Sequence, residues 1–180
     1  MNPFDTYKIE AIKIDTRPAY NMADEQSVDA DFRAGKNPDD IDIGDAARSW
    51  IAKCAEKIAS GARHIRIKLV PDDGPNEYGM IAHLVYYPRH AKVGIETFYM
   101  MRSDYNALVA GLGFDGWEPN DFWLFDMQSG IEQFYNDDYS YKGAADMDAA
   151  TARKYLALRD AVLASDKLFD MNEFKKRYVK

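Results

Sequence analysis

Two aspartates border the most distinctive stretch of the sequence, the aromatic run Asp121-Phe122-Trp123-Leu124-Phe125-Asp126. A carboxylate at the end of a strand can pair with an arginine, join a ligand site or cap a turn. Asp121 and Asp126 point to opposite faces of an ideal strand, so they cannot form a carboxylate pair by themselves. We expect both to be partly exposed and able to meet Arg17 or Arg102. The alternative, in which both cap turns at the ends of a buried strand, stays open.

Two short motifs suggest ligand binding, but neither has the flanking elements or the residues that its site requires. Residues 111–116 match GxGxxG, but a dinucleotide-binding loop needs a strand before it and a helix that starts inside it. Here a helical segment comes first and Trp117-Glu118-Pro119 follows, which predicts an ordinary loop. An EF-hand starting at Asp40 needs glycine at its sixth position and glutamate at its twelfth, where Asp45 and Ile51 stand.

The histidines and the single cysteine form no recognisable catalytic or metal-binding pattern. His64, His83 and His90 make neither HxH nor HExxH, and no serine or cysteine pairs with them at a known spacing. We expect His64 on the polar face of a strand, His83 in a helix and His90 in a loop. Cys54 lies on an apolar helical stripe, so we expect it to be buried and inert. The sequence predicts no catalytic residue, no metal site and no cofactor.

Composition and charge disfavour several classes of function. The chain of 180 residues is 47% apolar and 13% aromatic, which suits a packed core and excludes intrinsic disorder for the chain as a whole. The formal net charge is −7, and the densest basic run is Lys175-Lys176-Arg177 with Lys180 at the chain end. Both observations disfavour direct binding to nucleic acid or to anionic membranes. Without a long apolar run or a signal peptide, we expect a cytoplasmic protein.

The spacing of apolar residues predicts both helices and strands. Repeats of three and four predict helices over 46–59, 76–87, 103–110 and 149–164. Alternating or continuous apolar runs predict strands over 63–70, 93–101, 121–127 and 131–136, whereas residues 7–14 fit either a strand or a helix.

Local signals predict where these elements start and stop. Asp45 and Ser103 are expected N-caps, and Pro88 is expected to end the helix over 76–87. Gly130 is expected in a tight turn between two strands. Asp170, followed three positions later by Glu173, resembles a capping box that opens a terminal helix.

These elements predict a single α+β domain over residues 1–180, with a mixed β-sheet and helices packed against it. We divide it into an N-terminal segment with a polar linker, 1–44, and a main body, 45–180. The strand over 63–70 is expected to place one face in the core. In the strand over 121–126, Phe122 and Leu124 share one face and Trp123 and Phe125 the other, which is typical of a central strand covered on both sides.

Read together, these residues resemble a family of uncharacterised actinobacterial proteins that are often encoded beside helix-turn-helix regulators. The resemblance covers most of the chain and rests on Ile14-Asp15-Thr16-Arg17, Tyr20, Glu25, Phe32 to Gly35, Trp50, the strand over 63–70 with Pro71, Gly94, Tyr99, Arg102 and the block at 121–126. The chain departs from the family pattern at Phe98, where arginine is frequent, and after Tyr78, where Gly79 to His83 hold neither the Arg nor the Glu often found there.

The resemblance implies a fold but no established reaction, so function is expected from the polar residues. The candidate binding residues are Arg17, Tyr20, Tyr78, Arg102, Asp121 and Asp126. We favour a non-catalytic accessory or regulatory protein that binds a protein partner, such as a helix-turn-helix regulator. The alternatives are a small hydrolase or toxin-like nuclease that uses an Arg/Asp site, and an acidic mimic of nucleic acid. The sequence does not determine the oligomeric state.

Overall fold

The protein is built on one mixed β-sheet. Its strands are β1 (Glu10–Asp15), β2 (Arg63–Val70), β3 (Glu96–Met101), β4 (Asp121–Phe125), β5 (Ser129–Tyr135), β6 (Tyr141–Asp146) and β7 (Phe169–Asp170). The computed structural model describes residues 2–23 and 25–179, and within them the seven strands lie in the order β6-β5-β4-β1-β2-β3-β7. The β1–β2 and β2–β3 pairs are parallel and the other neighbours are antiparallel. The expected α+β class is confirmed.

Helices cover both faces of this sheet. They are α1 (Pro3–Thr6), α2 (Gln26–Arg33), α3 (Gly44–Ala59), α4 (Glu77–Ile81), α5 (Tyr87–Lys92), α6 (Arg102–Gly111), α7 (Ala149–Leu163) and α8 (Met171–Tyr178), with a π-helical turn at Ala82–Tyr86 and a 3-10 turn at Pro38–Asp40. Helices α6 and α7 pack on one face, and α3 and the α4–α5 segment on the other.

The segment 7–14, which fits either a strand or a helix from sequence, contributes most of β1, and β1 occupies the centre of the sheet. It pairs in parallel with β2 on one side and antiparallel with β4 on the other. All six of its residues are buried. The N-terminal segment 1–44 therefore contributes the central strand, to which both neighbours must align.

The two faces of the sheet differ in chemistry. On the apolar face, Ile12, Ile65, Ile67, Phe122 and Leu124 form one core cluster with side chains from α6 and α7. The polar face carries the alternate residues of the same strands. Five of these are charged, namely Lys13, Asp15, Arg66, Lys68 and Asp121, and they lie beside His64, Trp123 and Phe125. Because neighbouring side chains of a strand point to opposite faces, the register alone separates these two sets.

β4 confirms the expectation of a central strand covered on both sides. All five of its residues are buried. Phe122 and Leu124 pack in the cluster under α6 and α7, while Trp123 and Phe125 pack with Tyr7 and Trp50 on the polar face. The ring centroid of Phe4 lies 4.8 Å from that of Trp123, with the rings nearly perpendicular.

β2 corrects the expectation that only one of its faces is covered. His64 and Lys68 are 1% and 4% exposed, although they alternate with the apolar residues of the strand. The reason is that α3 and the α4–α5 segment cover the polar face. Alternation of charged and apolar residues normally indicates one wet face, and here it indicates a buried polar layer.

The helix expected over 76–87 does not end before Pro88. A π-helical turn at Ala82–Tyr86 follows α4, and α5 continues the same segment with Pro88 in its first turn. Proline is tolerated in the first turn of a helix because the N–H that it lacks would have no partner there. His90 consequently lies in a helix and not in a loop, and it is 3% exposed.

Of the N-caps expected from sequence, one is confirmed and two lie inside the first turn of their helices. Asp170 caps α8 and accepts a hydrogen bond from the Glu173 backbone N–H at 2.8 Å, as expected. Helix α3 begins at Gly44, so Asp45 lies inside its first turn, and α6 begins at Arg102, one residue before Ser103. The hydroxyl of Ser103 instead donates to Asp72 at 2.7 Å.

The hairpin between β4 and β5 turns earlier than expected. Residues 126–128 connect the two strands, and the Gln128 N–H donates to the Phe125 carbonyl at 3.1 Å. The central residues of this turn, Asp126 and Met127, have φ of 52° and 59°, and positive φ at both central residues is the geometry of a type I′ turn. Gly130 lies within β5, opposite Leu124. A Cβ at Gly130 would lie 2.5 Å from the Met147 sulfur and 2.9 Å from the Trp123 carbonyl oxygen, so the position has no room for a side chain.

Two further expectations concern Cys54 and the membrane. Cys54 is buried, as expected, and burial raises the pKa of its thiol to about 12. Among the helices formed by residues 2–23 and 25–179, none is both long and apolar enough to cross a membrane. Of the basic residues at the chain end, Lys175-Lys176-Arg177 lie in α8, and Lys180 lies outside the described residues.

We expect Trp123→Ala to lower the free energy of unfolding by about 3–5 kcal/mol, because it removes a large aromatic side chain from a covered strand. Trp123 is 5% exposed. The matched control is Ile9→Ala, since Ile9 is 55% exposed and its truncation should change stability by no more than about 0.5 kcal/mol. Denaturant titration followed by circular dichroism measures both. Equal, small losses would show that the aromatic block is not part of the core.

Candidate functional site

Buried charged side chains form a compact network at the centre of the polar face. Asp15 is fully buried and accepts a hydrogen bond from Arg66 Nε at 2.6 Å, and its other oxygen lies 3.0 Å from Lys13 Nζ. Lys68 Nζ donates to the backbone carbonyl of Arg17 at 2.6 Å. These side chains meet because Lys13 is in register with Arg66, and Asp15 with Lys68.

The network holds Asp15 in its charged form. Burial alone would raise the pKa of Asp15, but the charges of Arg66, Lys13 and Lys68 outweigh it and hold that pKa well below its usual range. Burial lowers the pKa of Lys68 to about 8, although Asp15 and Asp121 oppose the shift. A buried carboxylate is tolerable only when it is paired and hydrogen-bonded in this manner.

A second buried carboxylate, Asp121, ties the loop after β1 to β4. It accepts hydrogen bonds from the Thr16 backbone N–H at 2.7 Å and the Thr16 hydroxyl at 2.6 Å. The Tyr20 hydroxyl donates to Asp121 and also lies 3.4 Å from Asp15. Asp121 is 0% exposed, so the expectation that it is partly exposed is wrong, because residues 16–20 fold over the end of the strand.

The positive charges of this network outnumber the negative ones. Its cations are Lys13, Arg66 and Lys68, and its carboxylates are Asp15 and Asp121. Lys13 and Arg66 are nearest the open space above the sheet, because both line the adjoining cavity. The floor of that cavity is therefore positively charged.

A cavity of about 360 Å³ lies between this floor and α3, α4–α5 and the loop after β1. This volume falls within the range of small-molecule sites. Its aromatic lining consists of Tyr20, Trp50, Tyr78, Tyr86, Tyr87, Tyr135 and Tyr141. Its other polar lining consists of Glu25, His90 and Gln133.

Small side chains and a helical irregularity keep this space open. Ala46 and Ala47 face the cavity from α3, and Ala82 faces it from the start of the π-helical turn. The wider turn ends at Tyr86, which also lines the cavity. Single π-turns inside helices are frequent at functional sites because they displace side chains that a regular helix would align.

Two polar atoms around the cavity have no hydrogen-bond partner among the described residues. They are His90 Nδ1 and Gln133 Oε1, both enclosed by protein. Buried polar atoms are nearly always paired with protein, water or a ligand. Burial and the charge of Arg66 lower the pKa of His90 to about 3, so its ring is neutral at physiological pH.

The structure brings together only some of the residues expected from sequence. Tyr20 and Tyr78 line the cavity, and Asp121 lies beneath Tyr20. Tyr78 donates its hydroxyl to Glu25 at 3.1 Å. Arg17 contributes its backbone carbonyl to Lys68.

Arg102 lies apart, in a separate hollow lined by α6 and residues 113–119. Burial lowers the pKa of its guanidinium, and Asp121 and Tyr20 are near enough to oppose that shift. Arg102 therefore sits within electrostatic range of Asp121 without joining the cavity.

The carboxylate of Asp126 contacts the backbone and lies apart from the cavity. It lies at the far end of β4 and accepts hydrogen bonds from the backbone N–H groups of Lys8, Ile9 and Glu10, at 2.7–3.1 Å. These N–H groups hold the pKa of Asp126 below its usual value in spite of partial burial. Asp126 therefore fastens the chain entering β1 to the β4–β5 hairpin.

Sequence reasoning missed the charged floor of the cavity. Arg66 and Lys68 lie on the face of the strand over 63–70 that is not expected in the core, and Lys13 lies in the segment 7–14, which fits either a strand or a helix from sequence. The available signal was that Asp15, Arg66 and Lys68 alternate with isoleucines in strands too apolar to lie at an edge. From sequence, Trp50 enters only as a residue of the helix over 46–59 and of the family resemblance, and Tyr87 is not singled out. Only the fold places both on one cavity.

The described residues contain no group of three or more His, Cys, Asp or Glu side chains arranged to hold a metal ion.

Two of the histidines pack against the same tryptophan. His64 and His90 both lie beside Trp50, with ring centroids 5.4 Å and 5.2 Å from the indole. The Tyr7 hydroxyl and His64 Nδ1 are 3.1 Å apart.

Comparison with known proteins identifies one family. A family model described as a domain of unknown function (DUF6879) matches residues 1–174. Neither the curated proteins nor the solved structures contain a significant match to the chain.

We expect Asp126→Ala to destabilise the protein more than Asp126→Asn does. Asparagine keeps one acceptor oxygen and tolerates positive φ, so its cost should be about 1 kcal/mol. Alanine removes the side-chain hydrogen bonds to the backbone of residues 8–10 and is strained at φ 52°, for a loss on the order of 3 kcal/mol. Denaturant midpoints measure both. Equal midpoints for wild type and Asp126→Ala would contradict the fastening role.

We also expect stability to fall as pH decreases from about 6.5 to 4. Burial lowers the pKa of His64 and His83 to about 4 and that of His90 to about 3. In this window the unfolded chain binds protons that the folded chain does not, so each histidine contributes up to about 1.4 kcal/mol per pH unit.

Unfolding titrations between pH 4.5 and 7 measure this slope. His90→Gln serves as the comparison, because it should reduce the slope and not merely shift every value. A flat profile for the wild type would show that the histidines are accessible to protons in the folded state.

Proposed function

We propose a function for this chain, which belongs to the family described as a domain of unknown function (DUF6879). The protein is a non-catalytic accessory or regulatory protein that binds a small molecule in the cavity above β1 and β2. The observation that carries the proposal is the cavity itself, about 360 Å³, with aromatic walls and the cations Lys13 and Arg66 on its floor. A cavity of mixed aromatic and polar lining is the usual form of a small-molecule site.

The side chains around the cavity support binding more than covalent catalysis. Among the described residues that line it there is no Ser, Thr, Cys or Asp, which are frequent nucleophiles in enzymes. Two lining groups that could act as nucleophiles, Lys13 and Glu25, are engaged by Asp15 and by the Tyr78 hydroxyl. Asp15 and Asp121 lie beneath the cavity, and their oxygens are occupied by the network. The hydrolase expected from Arg17, Arg102, Asp121 and Asp126 lacks support, because Asp126 binds backbone at the far end of β4.

The site is organised before any ligand arrives. The ion pairs of Asp15 orient Lys13 and Arg66 at 3.0 Å and 2.6 Å, and the hydrogen bonds of Asp121 fix Tyr20. Side chains already held in place lose little further freedom on binding, so more of the contact energy appears as affinity.

The loop after β1 supports a regulatory role. It carries Tyr20, Met22 and Glu25 to the cavity, and Met22 and Glu25 remain partly exposed. A ligand that contacts this loop would change the conformation of a surface to which a protein partner can bind. The partner, a helix-turn-helix regulator among others, and a cytoplasmic location are part of this proposal.

The proposal predicts that filling the cavity abolishes ligand binding while the fold is retained. Ala47→Phe projects a ring into the space from α3. Ala52→Phe is the matched control, because Ala52 is an exposed residue of the same helix outside the cavity lining. A thermal-shift screen with neutral, cationic and anionic small molecules, followed by calorimetry, identifies binders.

A binder at 100 times its Kd should stabilise wild type and Ala52→Phe by about 2.7 kcal/mol, and should leave Ala47→Phe unchanged. Failure of every chemical class to bind, or equal binding to both variants, would contradict the proposal. Circular dichroism and the thermal midpoint of the free proteins verify that each variant is folded.

A further inference from the structure

We infer that the ligand of this cavity is a small, flat aromatic carboxylate that carries a hydroxyl group remote from the carboxylate. This inference rests on the proposed function and adds the chemistry of the ligand. It follows from the charge of the cavity floor, the aromatic walls and an unpaired acceptor at the opposite side.

The floor presents two cations side by side. Lys13 and Arg66 are directly paired in register on adjacent parallel strands, and such strands lie about 4.8 Å apart. Each already contacts Asp15, Arg66 through Nε and Lys13 through one N–H. Since arginine carries five N–H donors and lysine three, both retain donors for a second anion.

Arg66 is suited to a planar anion. Its bond to Asp15 uses the inner nitrogen, at 2.6 Å, and the terminal nitrogens of a guanidinium form a fork that matches the two oxygens of a carboxylate. Its side chain is 19% exposed, whereas Asp15 is 0% exposed. Part of the Arg66 side chain therefore remains accessible on the cavity side, where Asp15 does not cover it.

The cavity lining carries one carboxylate among its described residues. Glu25 is the carboxylate among the described lining residues, and it accepts the Tyr78 hydroxyl at 3.1 Å on the wall. The network beneath the floor holds three cations and two carboxylates. A negative charge placed at Lys13 and Arg66 would meet these two cations directly, and a cation there would be repelled.

The walls favour a flat ring. Trp50, Tyr86 and Tyr87 border the cavity from the helices, and Tyr20 and Tyr135 border it from the sheet side. Aromatic rings prefer offset-stacked or edge-to-face contact with other rings. The 360 Å³ cavity has room for about a dozen water-sized atoms, which is the size of a ring with a short acidic side chain.

The far side of the cavity carries an unpaired hydrogen-bond acceptor. Gln133 Oε1 is enclosed and has no partner among the described residues, and Gln133 lines the cavity from β5. Lys13 is in register with Trp123, whereas Gln133 is in register with Asp121, so Gln133 lies two strand spacings across the sheet and two residues along it from Lys13, about 12 Å. A ligand hydroxyl at the opposite end from the carboxylate meets this acceptor.

The test uses 4-hydroxycinnamate and three analogues, each changed in one property. They are 4-hydroxycinnamamide, which is neutral, cinnamate, which lacks the hydroxyl, and 3-(4-hydroxycyclohexyl)propanoate, which keeps the acid and the hydroxyl but replaces the flat unsaturated frame by a saturated one. Isothermal titration calorimetry of the wild-type protein measures each. We expect each analogue to bind at least tenfold more weakly than 4-hydroxycinnamate, because each removes one group of contacts.

Variants connect each property to its residue. Arg66→Lys keeps the charge and removes the fork, and should weaken 4-hydroxycinnamate about tenfold. Arg63→Lys is the matched control, because Arg63 is an exposed arginine of the same strand outside the cavity, and it should bind like wild type. Gln133→Leu should bind 4-hydroxycinnamate and cinnamate equally.

The outcomes separate this inference from the proposed function. Equal binding of the acid and its amide, or unchanged binding by Arg66→Lys, would overturn the inference. Binding of a neutral or cationic compound that Ala47→Phe blocks, without binding of the acids, would overturn the inference and leave the proposed function standing. If no compound binds, both fail. Should Arg66→Lys not fold, the comparison of acid and amide on wild type decides the question.

Discussion

Asp15 is a fully buried carboxylate on the central strand, and the arrangement of the polar face depends on the partners that it requires. It is held by Arg66 at 2.6 Å and Lys13 at 3.0 Å. Removing one member of a buried ion pair costs roughly 3–5 kcal/mol, since the remaining charge is left uncompensated. β1 and β2 must therefore keep the register that places Lys13 opposite Arg66, and a slip of one residue would carry these charges into the isoleucine core.

The same constraint explains why the two faces of one sheet serve different purposes. The apolar face is packed closely by α6 and α7 and is filled with isoleucine, leucine and aromatic side chains. The polar face cannot be filled in this manner, because Lys13 and Arg66 need polar surroundings or water on the side away from Asp15. Alanines on α3 and the π-helical turn after α4 leave that space open. The cavity is thus a consequence of placing charges on central strands.

The two aspartates that border the aromatic block look equivalent in sequence, but they make different contacts in the structure. Asp121 is enclosed by Thr16 and Tyr20 and belongs to the network below the cavity. Asp126 is used for the backbone of residues 8–10 at the opposite end of the strand. Both interactions join β4 to the chain on either side of β1, which fixes the central strand at its two ends. Only one of them positions a side chain, Tyr20, that a ligand can touch.

The sequence by itself determined the fold class, the two covered faces of β4 and the burial of Cys54, because these follow from local apolar spacing. It also indicated Tyr20 and Tyr78 as candidate binding residues, through the family resemblance, but it did not indicate what these two side chains contact. Only the tertiary structure decided that Lys13, Arg66 and Trp50 surround one cavity, since they come from β1, β2 and α3 and are brought together by strand register and helix packing. A charge alternating with isoleucine looks the same in sequence whether it faces water or a covered polar layer. That difference depends on which helix lies above the strand, and helix placement is a property of the whole chain.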